Sequence, residues 1–171
     1  MTKYSFQYNS YTPVGVADAA SFTTLTYQAI QGGSATQVNQ VSEVYIGGQA
    51  TSSAPTAMLL ARDSTVGVTP TALSTGVAAN GPMDSASAAL GAPAVGFITA
   101  ATQPLRSNSV TLSRLNLSFN AFGGIVRWTA MDPGEYFKIT GLSTLVGEVS
   151  LSAFNVGTPG LLGSHLVYET I

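Results

Sequence analysis

Leu115, Leu117 and Phe119 alternate with Asn116, Ser118 and Asn120, so every second side chain of this stretch is apolar. Successive strand residues point to opposite faces, and the alternation therefore predicts a half-buried β-strand. The same pattern recurs along the chain. Tyr4, Phe6 and Tyr8 share one face near the N-terminus, and Val149, Leu151 and Ala153 share one face of "GEVSLSAF". "GIVRWTA" resumes after Gly123-Gly124 with Val126 and Trp128 on one side and Arg127 on the other. "SFTTLTYQAI" and "QVNQVSEVYI", rich in β-branched and aromatic residues, stop at Gly32-Gly33 and Gly47-Gly48, both turn signals. "TAMLLARDS", "AVGFITAA", "EYFKITG" and "GSHLVYETI" complete the set. In "MDPGE", Pro133 pre-sets φ and Gly134 permits a positive φ, which makes a hairpin turn.

One segment reads differently. In "GPMDSASAALGAP", Pro82 and Asp84 precede an alanine-rich run bounded by Gly91 and Pro93, which predicts a short helix capped by Asp84. The stretch before it, "VGVTPTALSTGVAAN", reads as a loop or irregular edge strand, and "TQPLRSNS" as a connection. The sum is an all-β chain of about eight to ten antiparallel strands with one short helix, the pattern of a β-sandwich or barrel. No repeat of fixed length emerges, which argues against a solenoid or propeller. Residues 21–171 form a single sandwich domain in this reading. Residues 1–20 are either an arm reaching to a neighbour or the first strand of the same sandwich. As an arm, the segment would use Tyr4, Phe6, Tyr8 and Tyr11 as interface anchors, because aromatic residues are frequent hot spots.

Composition narrows the function classes. Only 8% of the 171 residues are charged, against roughly 25% in ordinary domains, and protein interfaces share this depletion at their cores. The expected working state is one packed against neighbours. The six cations are scattered and the net charge is −2, which leaves no basic patch for phosphates and predicts no direct nucleic-acid contact. With no cysteine, disulfides and thiolate metal sites are excluded. "MTKYSFQYNSYTP" has no apolar h-region, and no stretch approaches the ~18 apolar residues of a membrane span. Synthesis in the cytoplasm and no membrane partner are the expectations.

Catalytic constellations are missing. His165 is the sole histidine, and neither G-x-S-x-G nor H-E-x-x-H surrounds a nucleophile or metal. Its expected role is that of a strand histidine, exposed or hydrogen-bonded. Asp132 and Glu135 flank a Pro-Gly turn instead of facing each other across a cleft, as glycosidase acids do. Trp128 is expected in the core, while Arg127 and Lys138 are expected to pair with Glu135 or Glu148. Glycine-rich pieces such as "IGGQATSS" lack the G-K-[ST] ending of a phosphate loop. The expectation is no enzyme, no cofactor and no metal.

"LNLSFNAFGGIVRWTAMDPGE", "GEVSLSAF" and "GSHLVYE" resemble small β-rich virion proteins of tailed phages of the capsid decoration (cement) type, over roughly residues 36–171. The resemblance implies a jelly-roll-like sandwich, assembly on the outside of a capsid with the major capsid protein as partner, and no enzyme activity; no functional residue transfers from it. A virion structural protein that stabilises the shell by burying surface between subunits is the first expectation, itself a homo-oligomer with a trimer favoured. A carbohydrate- or receptor-binding sandwich is the alternative, since "FQYNSYT" mixes aromatic and amide side chains. An extracellular filament subunit built by edge-strand addition is a third.

Overall fold

The alternating runs become strands of two antiparallel six-stranded sheets. The computed structural model describes residues 2–32, 38–71, 73, 78–87, 95–141 and 147–171. In the first sheet, β11 (Ile125–Thr129) and β12 (Phe137–Thr140) lie end to end along one side of β3 (Val38–Gly48). Then come β14 (Leu162–Thr170), β1 (Thr2–Tyr11) and β6 (Ala78–Pro82). In the second, β10 (Leu115–Asn120) and β9 (Leu105–Arg106) follow one side of β4 (Pro55–Thr65). Next to β4 lie β13 (Glu148–Ala153), β2 (Tyr27–Gln31) and β7 (Val95–Phe97). A separate pair, β5 (Val68–Pro70) and β8 (Ala100–Thr102), completes the set.

The inward faces of both sheets meet in one apolar core that includes Phe6, Ile30, Val44, Ile46, Leu60, Leu151 and Leu166, all at most 1% exposed. Trp128 packs against this core, edge-on to Phe137 at 5.8 Å, as its alternation with Arg127 predicts. The outer face of the second sheet is covered by the chain itself. Residues 12–26, between β1 and β2, form a strap across it: Val16 N donates to Ala153 O, Ala19 N to Arg106 O, and Phe22 N to Pro104 O. Phe22 packs with Tyr27, Ala29, Phe97 and Ala100 in a second, smaller apolar cluster.

Several expectations change. Among the described residues there is no helix. The segment expected to be helical stays in strand through Pro82, which pairs with Tyr4, and Met83 N donates to Lys3 O. Asp84 then closes a turn, accepting from Ala86 N through Oδ1 at 2.9 Å; residues 88–93 of that expectation lie outside the described residues. The described residues form fourteen strands. The surplus comes from short strands: β5 and β6 around the stretch expected to be a loop or irregular edge strand, where β6 does form an edge of the first sheet, and β8 and β9 around "TQPLRSNS". Arg127 pairs with Glu43 at 2.7 Å across β11 and β3, not with the hairpin acid Glu135. Glu148 is buried on the second sheet and pairs with neither Arg127 nor Lys138.

Residues 2–11 form β1, hydrogen-bonded between β14 and β6, so this segment is the sandwich's own strand and not a projecting arm. Tyr4, Phe6, Tyr8 and Tyr11 are all buried in the core. Tyr8 and Tyr11 stack at 4.0 Å, and Tyr4 stacks on Tyr168 at 5.5 Å. The rings are occupied internally because alternation points them inward, which leaves Ser5, Gln7 and Asn9 on the outer side.

Candidate functional site

A layer of ionisable groups lies between the second sheet and its strap. Glu148, Ser150 and Ser152 alternate outward on β13, yet all are buried, because the chain covers them. Asp63 on β4 joins them: its Oδ1 accepts from Ser150 Oγ at 2.7 Å. Glu148 Oε2 accepts from Gly67 N at 2.8 Å and from Gln31 Nε2 at 3.3 Å. The two carboxyls are hydrogen-bonded to each other, and their remaining oxygens, Asp63 Oδ2 and Glu148 Oε1, have no other donor. Burial raises both carboxyls above their ordinary range, and the charge of Asp63 raises Glu148 further. Two carboxylates cannot both ionise at such contact, so the pair retains a proton.

Arg106 supplies the opposite charge. It is fully buried, and its Nη2 donates to Ser152 Oγ at 2.7 Å and Ala153 O at 2.9 Å. Its Nη1 reaches the strap at Val16 O, 3.2 Å, and Asp18 Oδ1, 3.3 Å. Phe22 and Phe154 each place a ring centroid 5.6 Å from the guanidinium. Arg114 then holds the other oxygen of Asp18 at 2.6 Å. Two cations, Asp18 and one charge on the carboxyl pair sum to zero, which is how a buried ionic layer avoids a large desolvation cost. The layer pins the strap. Neither carboxyl lines any of the three surface depressions that follow.

The first depression, about 390 Å³, opens on the outer face of the first sheet. Gln7, Asn9, Gln49, Tyr45 and His165 surround the backbone of Gly47 and Gly163. His165 is the register partner of both Gln7 and Tyr45; burial lowers its pKa, and its buried Nε2 has no partner. It is the strand histidine expected, but half-buried, and at that nitrogen neither exposed nor hydrogen-bonded. A smaller, mostly apolar hollow of about 170 Å³ lies between Pro55, Phe119 and Val156.

Both depressions sit at one end of the sandwich, where four passages of chain converge. Ala50 N donates to Ala121 O, Gln49 N to Leu161 O and Gly160 N to Thr56 Oγ1, while Asn120 binds Ala54 N and Ser53. Residues 4–17, 44–61, 115–126 and 149–168 contain no Asp, Glu, Lys or Arg. Val14, Phe122, Ile125, Val156 and Leu161 are nonetheless exposed there. The sequence shows the low total charge but not that four charge-free passages meet at this end, because register was the missing information; the Arg127–Glu43 pair borders the first depression, and Glu43 opposes the effect of burial on His165.

The third depression, about 220 Å³, lies toward the other end, between Arg62, Thr111, Ser113, Glu135 and Tyr136. No known protein family, no curated protein and no solved structure matches the chain.

Proposed function

We propose that this chain is a virion structural protein of the capsid decoration type, docking on a capsid shell through its charge-free end. The observation that carries the reading is that end itself. Exposed apolar side chains stand there on loops and at the start of β11, tied together by hydrogen bonds, with no ionised group among the converging passages. Interface cores are depleted in charge, because every ionised group buried against a partner must be desolvated. A free surface of this kind gains by being covered.

Strand order supports the same reading. The sequence β1-β14-β3-β11/β12 over β2-β13-β4-β10/β9 is the nested pairing of a jelly roll, an architecture shared by viral capsid and lectin domains. The short strands β6 and β7 extend the two sheets beyond β1 and β2. The major capsid protein is the proposed partner, with the protein on the outer capsid surface, and a trimer would match local threefold positions of a shell. The internal use of the carboxyl pair and Arg106 favours a structural over a catalytic role for the buried layer.

The test is saturable binding of the purified protein to shells assembled from the major capsid protein of the same genome, measured by co-sedimentation. Binding at a fixed copy number per shell with a raised shell melting temperature is expected. Failure to bind, with the protein absent from purified particles, contradicts the proposal.

A further inference from the structure

Four of the six cations contact a carboxylate: Lys3 with Glu169, Arg106 and Arg114 with Asp18, and Arg127 with Glu43. Lys138 is exposed to solvent. Arg62 is the exception. It is half-buried on β4, its Nη1 is enclosed without a hydrogen-bond partner, and burial lowers its pKa with no anion to offset the effect. An enclosed guanidinium nitrogen left without an acceptor is costly, and the planar fork suits a carboxylate held by two parallel bonds.

The pocket beside Arg62 says more about what would satisfy it. Its volume, about 220 Å³, is below the usual range for drug-sized ligands and suits one monosaccharide-sized unit. Thr111 and Ser113 offer hydroxyls that both donate and accept. Glu135 also lines it, with Oε2 accepting from Met131 N at 2.6 Å. A carboxylate side chain only accepts, so it repels a bare anion but welcomes hydroxyl donors. The half-buried Tyr136 adds an aromatic wall. One cation, one acceptor-only group and two hydroxyls match a ligand carrying both a carboxylate and several hydroxyls.

We propose that this pocket binds a hydroxylated carboxylate of the sugar-acid class, its carboxylate on Arg62 and its hydroxyls shared among Thr111, Ser113 and Glu135. The pocket stands apart from the charge-free end: β4 carries Pro55 at that end and Arg62 near its other terminus. Docking on a shell leaves it open, so a decoration protein would present it outward.

The test is an amide-resolved NMR titration of the full chain with sodium D-glucuronate, D-glucose and sodium acetate at constant ionic strength. Glucuronate should give saturable shifts confined to the surroundings of Arg62 and residues 111–113 and 134–137, with an affinity on the order of millimolar for a single sugar. Glucose and acetate should give shifts at least tenfold weaker. Arg62→Met should abolish the glucuronate response; it removes a charge with no partner, so the variant should melt no lower than the parent and its folding is readable from the same spectra. Arg62→Lys should retain only part of the affinity, and Glu135→Gln should weaken glucuronate while strengthening acetate. Binding of acetate or glucose as strong as that of glucuronate, no shift with any of the three, or a glucuronate response that survives Arg62→Met would each overturn the proposal. None of these results depends on attachment to a shell.

Discussion

Arg106 on β9 is the register partner of Asp63 on β4, and both side chains are fully buried. The pairing places a permanent cation beside the hydrogen-bonded carboxyls of Asp63 and Glu148, and the same guanidinium holds the strap at Val16 and Asp18. One residue thus links β13, β9 and the strap.

Arg106→Met should therefore be severely destabilising. It leaves a buried carboxylate uncompensated and frees four hydrogen bonds, to Val16, Asp18, Ser152 and Ala153. The expected loss is about 3–5 kcal/mol by urea denaturation. Protease cleavage should appear first in residues 12–26, where the strap is released.

The carboxyl pair fixes the sign of the pH dependence. Both groups are raised, so the native protein keeps a proton that the unfolded chain has already lost above about pH 4. Stability from this pair is complete below that pH and is lost as pH rises through the raised native range, at about 1.4 kcal/mol per pH unit for one retained proton. Glu148→Gln mimics the protonated acid: its amide can donate toward Asp63 while its oxygen accepts from Gly67. The variant should show a flatter decline between pH 5 and 9, read from urea midpoints, with little loss at neutral pH. An unchanged slope would mean that the pair ionises freely in the fold.

Two adjacent glycines at the end of β3 should respond oppositely to alanine. A Cβ on Gly48 would sit 2.1 Å from Ala121 O, a backbone atom of the hairpin that closes the charge-free end. Gly48→Ala should cost about 1–3 kcal/mol. A Cβ on Gly47 meets nothing within 4 Å, so Gly47→Ala should be neutral or stabilise by up to about 1 kcal/mol. Thermal denaturation of the two variants separates the cases.

Strands such as β10 and β11 were legible in the sequence because one face lies on the core and the other outside, as Leu117 against Asn116 and Trp128 against Arg127 illustrate. The short strands were not. β5, β8 and β9 have two or three residues each, too few for a period to register. Asp84 was read as a cap because it precedes alanines, but the pairing of Pro82 with Tyr4 holds the chain extended up to the turn. The four tyrosine and phenylalanine anchors fit an arm or a strand equally well by sequence, and only the pairing with β14 and β6 decides. The acid pair was missed for a related reason. Glu148, Ser150 and Ser152 occupy outward positions, which normally means solvent, and nothing local announces a strap. A signal exists only in residues 12–20, which carry no strand pattern; residues 21–26, expected to begin a strand, belong instead to the strap, since β2 starts at Tyr27.

The central claim is that the charge-free end is the surface this protein uses on a shell. Phe122 and Met131 are both exposed and apolar, but Phe122 stands at that end and Met131 follows β11 at the opposite one. Co-sedimentation of Phe122→Asp and Met131→Asp with capsid shells compares them directly. The account predicts that Phe122→Asp weakens binding at least tenfold while Met131→Asp binds like the parent. Equal binding by both variants, or loss confined to Met131→Asp, would contradict it.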